Sequence, residues 1–444
     1  MRSQQEYVLR TVEERAIRFV QLWFTDVLGT PKTFSITPAE LENALEEGMT
    51  FDGSAIDGFS RVQESDVLAR PDPKTFQLLP WHSGDAAVAR VFCDIFNLDG
   101  TPFEGCPRHV LRRALDRARE KGFTFYASPE IEYFYFADAD PSRTPVGLDS
   151  GSYFDLTASD LASSLRKQSV LTLEEMGIPV EHAQHEDAPS QHEVDLRYTD
   201  ALTMADTVMT VRLVIKEMAH RDGVHASFMP KPVAGVQGSG MHTHLSLFEG
   251  DTNAFSDPDD PYGLSKLSKH FIAGLLRHAP EITAVTNQWV NSYKRLVTGY
   301  EAPIHVSWAR NNRSALVRVP VVKRNKFEST RVEYRAPDSA CNPYLAFAVI
   351  LAAGLRGIEQ GYELPREAAA NPFEMTPEEL AAEDIRSLPG SLHEAVGEME
   401  RSELMAEALG EHVFEWFSRN KRAEWAAYKS HVSQFELDRY LPLL

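Results

Sequence analysis

Residues 184–193 read Q-H-E-D-A-P-S-Q-H-E, with two carboxylates, Glu186 and Glu193, seven positions apart and a Pro-Ser break between them. Proline fixes φ and removes a backbone donor, so this run is not one continuous helix and must turn back on itself, which brings the two acids to one place. An acidic, histidine-containing turn taken alone is more often solvated than metal-binding. Its meaning depends on what the rest of the chain sets against it.

Upstream, a helix over 107–121 leads into the strand F-T-F-Y-A-S-P-E-I-E-Y-F-Y-F at 123–136. Glu130 and Glu132 are two apart, so both point to one face while Ile131 and the aromatic neighbours point into packing. Paired carboxylates in an aromatic strand are costly unless a positive charge sits between them, and a divalent cation explains them better than an edge strand with one wet face. A helix over 158–176 and a strand over 179–183 connect this strand to the opening stretch. Downstream, a long amphipathic helix, Thr199 to His220, precedes P-K-P-V-A-G-V-Q-G-S-G-M-H-T-H-L-S-L at 230–247. Its glycines enter a strand on which His242 and His244 share a face, placed to bind a metal or to contact a nucleotide.

Positive charge gathers between Asn291 and Pro337. N-S-Y-K-R-L-V-T-G-Y-E-A-P reads as a loop, and S-W-A-R-N-N-R-S-A-L-V-R-V-P and T-R-V-E-Y-R-A-P follow, with Arg313 and Arg318 in one group. A period of two puts Arg331, Glu333 and Arg335 on one strand face, an acid flanked by two cations. Guanidinium offers a planar fork for phosphate and carboxylate oxygens, so this is the anion end of a site.

The N-terminal hundred residues read as a small mixed α+β unit. A helix over 4–16, a strand ending at Gly29 and a short strand over 33–36 come first. A helix over 39–47 follows, with Thr37 as cap and Pro38 at its first position. Residues 50–66 read as a loop, followed by strand-like runs over 76–81 and 87–96. From Tyr344 onward the chain reads as helical: an apolar helix to Ile358, a Pro-rich link through Asn371-Pro372, a helix over 391–400 and a C-terminal helix.

The chain's 444 residues suit two or three domains, or two unequal ones. Lys and Arg number 45 against 65 Asp and Glu, a formal charge of −20, which argues against nucleic acid or an anionic membrane as partner. Cys93, Cys106 and Cys341 are odd in number and lack C-x-x-C spacing, which fits buried thiols in a reducing cytoplasm. Neither an apolar leader nor a membrane-length apolar run is visible, so a soluble, cytoplasmic protein is expected.

Eight motifs now stand in one order: F-D-G-S (51–54), P-E-I-E (129–132), G-S-Y-F-D (151–155), H-E-D-A-P-S-Q-H-E (185–193), G-S-G-M-H-T-H (238–244), K-R-L-V-T-G-Y-E-A-P (294–303), N-R-S-A (312–315) and R-V-E-Y-R (331–335). In this set the sequence resembles the glutamine synthetase family, bacterial type I class, over nearly its full length. The resemblance implies an α+β fold, with a small N-terminal β-grasp domain (1–100) and a larger C-terminal catalytic domain (101–444) whose antiparallel sheet is flanked by helices. It implies an ATP-dependent ligase joining the γ-carboxylate of L-glutamate to ammonia or an amine through γ-glutamyl phosphate, with two or more Mg²⁺ or Mn²⁺ ions. Glu132, Glu186 and Glu193 resemble the ligands of one metal, and Glu130, His242 and Glu333 those of the second. Arg295, Arg335 and Gly238 resemble the glutamate-binding residues, beside Glu132. Arg313, Arg318 and Arg331 resemble the phosphate contacts, with His244 and Tyr198 nearer the nucleotide. Asp52 resembles the base that deprotonates ammonium across a subunit boundary, with Tyr153 and Glu301 as its partners and Glu301 on a closing flap. The assembly implied is a dodecamer of two hexameric rings.

The chain departs from the family pattern at Ala55, where a serine is common, at Gln237, where asparagine is common, and at Thr298, where the flap usually has proline. These changes leave ammonia and a larger amine, such as a polyamine, both open as acceptors, so a γ-glutamylpolyamine synthetase is the alternative reading. A silent scaffold and a phosphagen-kinase-like phosphotransferase fit less well, because the metal ligands and Asp52 are present. Phe373 stands where adenylylated members carry tyrosine, which implies no control by that modification. Arg61 matches a position tied to feedback inhibition by glutamine in the non-adenylylated subclass.

Overall fold

A computed structural model of the chain describes residues 2–58, 66–82, 87–156, 161–299, 301–323, 326–368 and 370–444; Arg61 lies outside them. The N-terminal elements are α1 (Arg2–Glu14), β1 (Phe19–Thr25), β2 (Pro31–Ile36), α2 (Pro38–Glu46), β3 (Met49–Asp52), β4 (Asp66–Pro71), β5 (Gln77–Leu78) and β6 (Val88–Phe96). They form a six-stranded sheet in the order β2-β1-β6-β4-β3, with β5 beside β6, and β1 runs parallel to β6. Val8 and Val12 of α1 and Leu41 and Leu45 of α2 close one core with Val20, Leu22, Val91 and Ile95 of the sheet. Helical spacing on α1 and α2 and period-two spacing on the strands put those residues on facing surfaces.

Three expectations change here. Asp52 ends a strand rather than sitting in a loop, because Met49–Asp52 pairs antiparallel with β4. Of the strand-like run 76–81, only Gln77–Leu78 pairs with β6. Thr37 occupies the position before α2 with Pro38 following, yet its side chain makes no capping hydrogen bond.

The remaining elements are α3 (Pro107–Glu120), β7 (Thr124–Phe136), α4 (Leu161–Glu175), β8 (Val180–His185), β9 (Gln191–Leu196), β10 (Thr199–Asp200), α5 (Ala201–Arg221), β11 (His225–Ser227), β12 (Met241–Glu249), β13 (Thr252–Asn253), α6 (Lys266–Thr286), α7 (Ser292–Arg295), β14 (Trp308–Ala309), β15 (Val317–Arg318), β16 (Val332–Tyr334), α8 (Pro343–Gln360), α9 (Pro377–Ala382), α10 (Leu392–Glu400), α11 (Glu403–Leu409), α12 (Glu411–Ser430) and α13 (Gln434–Tyr440). The helical start over 158–160 lies outside the described residues. A ten-stranded sheet runs β14-β15-β16-β12-β7-β9-β8, with β10 and β11 on β7 and β13 on β12. Its pairings are antiparallel except β14 with β15.

Helix α6 was not foreseen, and residues 292–295 form a helical turn where a loop was expected. Helix α6 lies against α8 so closely that a Cβ at Gly274 would stand 2.3 Å from the Ala353 carbonyl oxygen. All three cysteines are free and buried. Among the described residues no helix is long and apolar enough to cross a membrane.

The two sheets are joined by charge as well as by apolar contact. Arg108 of α3 is 4 % exposed and pairs with Asp72, just after β4, at 3.0 Å, with Asp94 of β6 at 2.8 Å, and with Asp206 of α5 at 2.9 Å. Asn342, which caps α8 through its side-chain oxygen, gives its amide to the carbonyls of Asp26 and Val27 just beyond β1.

Candidate active site

Strand register assembles the site. On β7, Glu130 pairs with His242 of β12 and Glu132 with Glu193 of β9, while Glu333 of β16 pairs with His244 and with Arg318 of β15. Because each pairing carries its side chains to the same face, residues spread over two hundred positions meet on one patch of sheet. The opening stretch is the β8–β9 hairpin, with Ser190 at φ 63° in its turn. That hairpin lifts Glu186 to the same place as Glu193.

Two groups of acids result. In the first, Glu130, His242 and Glu333 present ligand atoms that all lie within 4.8 Å of one another. His242 Nδ1 stands 3.5 Å from Glu130 and 3.8 Å from Glu333, and His244 Nε2 is 2.7 Å from the other oxygen of Glu130. In the second, Glu132 accepts from the Gly240 amide at 2.8 Å and from Gln191 at 3.1 Å. Gln184 donates to Glu193 at 2.8 Å and to Glu186 at 3.2 Å.

The electrostatics of the two groups differ. Burial would raise Glu130, but its contacts to His242 and His244 outweigh burial and hold it well below the usual carboxylate range. Glu333 is likewise held low against burial, chiefly by Arg335. Burial pushes His242 down to about 4, helped by Arg335, so its ring is neutral and able to coordinate. Glu132, by contrast, is pushed up to about 8 by burial and by Glu186. Burial also raises Glu193 and Glu186, with neighbouring acids adding to it. Two buried carboxylates and a half-buried third that repel one another fit a hard cation far better than they fit a dry interior.

The arginines divide unevenly. Arg335 reaches Glu333 at 2.6 Å, and Arg318 pairs with the other oxygen of the same carboxylate. Arg331 does not complete this flank. It leans to His244, its Nε 3.3 Å from Nδ1, because strand pairing is confined to Val332–Tyr334 and Arg331 lies outside it. The cations flanking Glu333 are therefore Arg318 and Arg335. Arg295 is 2 % exposed and donates to the carbonyls of Ala336 and Arg335, which ties α7 to the end of β16. Gly238 lies beside it: a Cβ there would come 3.1 Å from the Arg295 side chain and 2.2 Å from the Pro230 oxygen.

A cavity of about 390 Å³ opens next to the acids, lined by Glu130, His244, Arg331 and Tyr198, with Tyr126 and Phe248 as aromatic walls. Arg313 is exposed and lies within reach of the Tyr153 hydroxyl, which also faces Glu186 and Glu193. Glu301, at φ 59°, is near enough to Glu186 to raise it. Asp52 stands apart from this set on β3 of the other sheet, with Oδ1 accepting the Ser54 amide at 2.8 Å.

The family model described as "Glutamine synthetase, beta-Grasp domain" matches residues 16–98, and "Glutamine synthetase, catalytic domain" matches 104–440. The chain belongs to the glutamine synthetase family. A glutamine synthetase of Mycolicibacterium smegmatis is 60% identical over 446 residues and covers 100% of both chains. One from Thermotoga maritima is 50% identical, covering 99% of each. Among solved structures, a GmaS/ADP complex superposes with a TM-score of 0.86 at 32% identity, covering 98% of this chain and 99% of that one. A Plasmodium falciparum glutamine synthetase gives 0.89 at 25% identity, covering 99% and 98%.

Within this glutamine synthetase fold, several residues near the acids were not foreseen. Gln184 and Gln191 hold the carboxylates by amide donation; both lie in the opening stretch, and the register Gln184↔Glu193 is the signal that reveals them. Asp195, raised to about 7 by burial and by Glu130, lines the cavity. Asp149 holds His185 at 2.9 Å, and the His185 ring meets the Glu186 carbonyl, bracing the start of the hairpin turn.

Proposed function

We propose that this chain is an ATP-dependent ligase that joins the γ-carboxylate of L-glutamate to ammonia, working in the cytoplasm as a homo-oligomer. The observation that carries this reading is the patch on which five carboxylates and His242 converge, with arginines on its border. Relatives at 60% and 50% identity bear the name glutamine synthetase, which favours ammonia over a larger amine. The division of labour assigns residues 1–100 to presenting the acceptor base and 101–444 to binding and phosphoryl transfer.

A carboxylate does not accept an amine directly, because oxide is a poor leaving group. The γ-carboxylate must first attack the γ-phosphate of ATP, which brings two anions together. Mg²⁺ or Mn²⁺ ions held by Glu132, Glu186 and Glu193 and by Glu130, His242 and Glu333 would supply the neutralising charge when bound. Arg313, Arg318 and Arg331 bind the phosphates, and His244 and Tyr198 border the nucleotide. The room for a nucleotide is the cavity of about 390 Å³ lined by Tyr198, His244 and Arg331. Arg295 and Arg335, with Gly238, hold the glutamate carboxylates; fixed by their own hydrogen bonds, they need little reorganisation.

The resulting γ-glutamyl phosphate would hydrolyse in bulk water, so Glu301 serves on a segment that excludes it. An amine attacks only when neutral. Asp52, from a neighbouring subunit, takes the proton from ammonium beside Tyr153 and Glu301. A site shared between subunits requires an oligomer, for which two stacked hexameric rings are proposed; sedimentation of the purified protein tests this.

Phosphate release from ATP with Mg²⁺ and glutamate, comparing ammonium with putrescine, spermidine and ethanolamine at equal concentration, tests the whole reading. Ammonium should be the best acceptor, showing that Ala55 is tolerated. Turnover confined to a larger amine overturns it.

A further inference from the structure

Helix α5 places Arg212 and Lys216 four residues apart, hence on one face. They look toward His225 of β11 across a cavity of about 340 Å³, closed by the 28–31 turn, Phe228 and Ser339. Among the described residues no Asp or Glu lines this cavity, although the chain carries a formal charge of −20. Like charges four apart on a helix repel, so the arrangement is unfavourable while nothing offsets it.

Arg212 is 8 % exposed and has no carboxylate partner among the described residues. One Nη donates to the Cys341 carbonyl at 2.9 Å, the other lies 3.9 Å from the Met241 sulfur, and Nε has no partner. Lys216 makes no ion pair among the described residues and lies 5.7 Å from the Phe228 ring. The acids that reach these groups do so from outside the lining: Asp338 acts on Arg212, and Asp138, itself paired with Arg143, acts on His225. A buried guanidinium left without an anion is an expensive arrangement unless a ligand completes it.

We propose that this cavity binds a small oxyanion, phosphate or a short carboxylate, at a site separate from the acid patch. Arg212 contributes buried positive charge and the Nη that faces only the Met241 sulfur, the lysine a mobile charge, and His225 a further donor. The size suits one such anion with its water. Ser339, on the cavity wall, donates to the Gly240 carbonyl, and the Gly240 amide holds Glu132, so the wall is continuous with the active site.

Equilibrium dialysis of the intact assembly against radiolabelled phosphate tests this, with glutamate, a non-hydrolysable ATP analogue and Mg²⁺ at saturation to fill the substrate positions, the γ-phosphate position included. One phosphate per chain should remain bound. Lys216→Gln and His225→Gln, both outside the catalytic set, should each weaken that binding about tenfold or more while leaving turnover with ammonium unchanged. Competition by succinate assigns a carboxylate ligand, and its failure assigns phosphate. Crystals grown with selenate should show its anomalous peak between Arg212, Lys216 and His225. The proposal is overturned by no residual phosphate, by binding in both variants as tight as in the unaltered chain, or by a carboxylate of a second copy seated in the cavity.

Discussion

Gln184 Nε2 lies 2.8 Å from Glu193 Oε1, and the same amide reaches Glu186 at 3.2 Å. One neutral side chain thus sets the spacing of two acids that repel each other. Gln184→Met keeps the volume and removes both donors. Hydrogen bonds behind metal ligands are commonly worth ten- to a hundredfold in affinity. The variant should therefore need about tenfold more Mg²⁺ for half-maximal phosphate release, with an unchanged melting temperature in EDTA. An unaltered Mg²⁺ dependence would show that the hairpin alone places the acids.

The pH dependence of the metal-free protein follows from Glu132. Folded, its carboxyl holds a proton up to about 8, against an ordinary value of 4.5. The folded chain therefore binds more protons than the unfolded chain across that window, and stability falls as pH rises through it. Glu186 and Glu193 shift in the same direction. A cation binds the ionised form, so its stabilising effect runs the other way. Melting curves at pH 6.5, 7.5 and 8.5, with EDTA and with Mg²⁺, should show a gap that widens with pH; a gap of constant size counts against the acid patch as the metal site.

Much of this patch was legible because strand periodicity is local. Glu130 and Glu132 share a face by counting, as do His242 and His244. The partner of each was not legible, since register is set by which strands meet. That is why Arg331, in phase with Glu333, goes instead to His244, and why Arg318 takes its place on the acid. Helix α6 escaped notice for a different reason: Lys266, Lys269, His270, Arg277 and Glu281 do recur at helical spacing opposite its buried face, but Pro280 inside it breaks the helical reading. The amides of Gln184 and Gln191 went unread because a glutamine has no chemistry until its neighbours are placed.

Gly240 offers a steric test. A Cβ at this position would stand 2.6 Å from Arg295 Nη2 and 2.9 Å from His242 Nε2. Arg295 is buried and bonded to the Ala336 and Arg335 carbonyls, and the half-buried His242 faces Glu130, so each can yield only by giving up those contacts. Gly240→Ala should raise the KM for glutamate by tenfold or more and lower kcat, because it displaces a substrate arginine and a metal ligand together. Circular dichroism should be preserved. Full activity would mean that Arg295 is free to swing aside, contrary to its bonds with Ala336 and Arg335.

Arg108 carries the largest single share of charge at the junction of the two sheets. It touches Asp72, Asp94 and Asp206, while Arg112 also holds Asp72 and Asp94, and the Tyr344 hydroxyl donates to Asp206. Arg108→Met leaves Asp206 buried with only a neutral donor. Removing one member of a buried pair typically costs about 3–5 kcal/mol, most of it the stranded charge. Adding Asp206→Asn to Arg108→Met should then restore part of the loss, since the neutral amide still accepts from Tyr344. Urea unfolding at fixed protein concentration separates the two effects. If the double variant is no more stable than Arg108→Met, the stabilisation comes from packing of the arginine stem and not from the ion pairs.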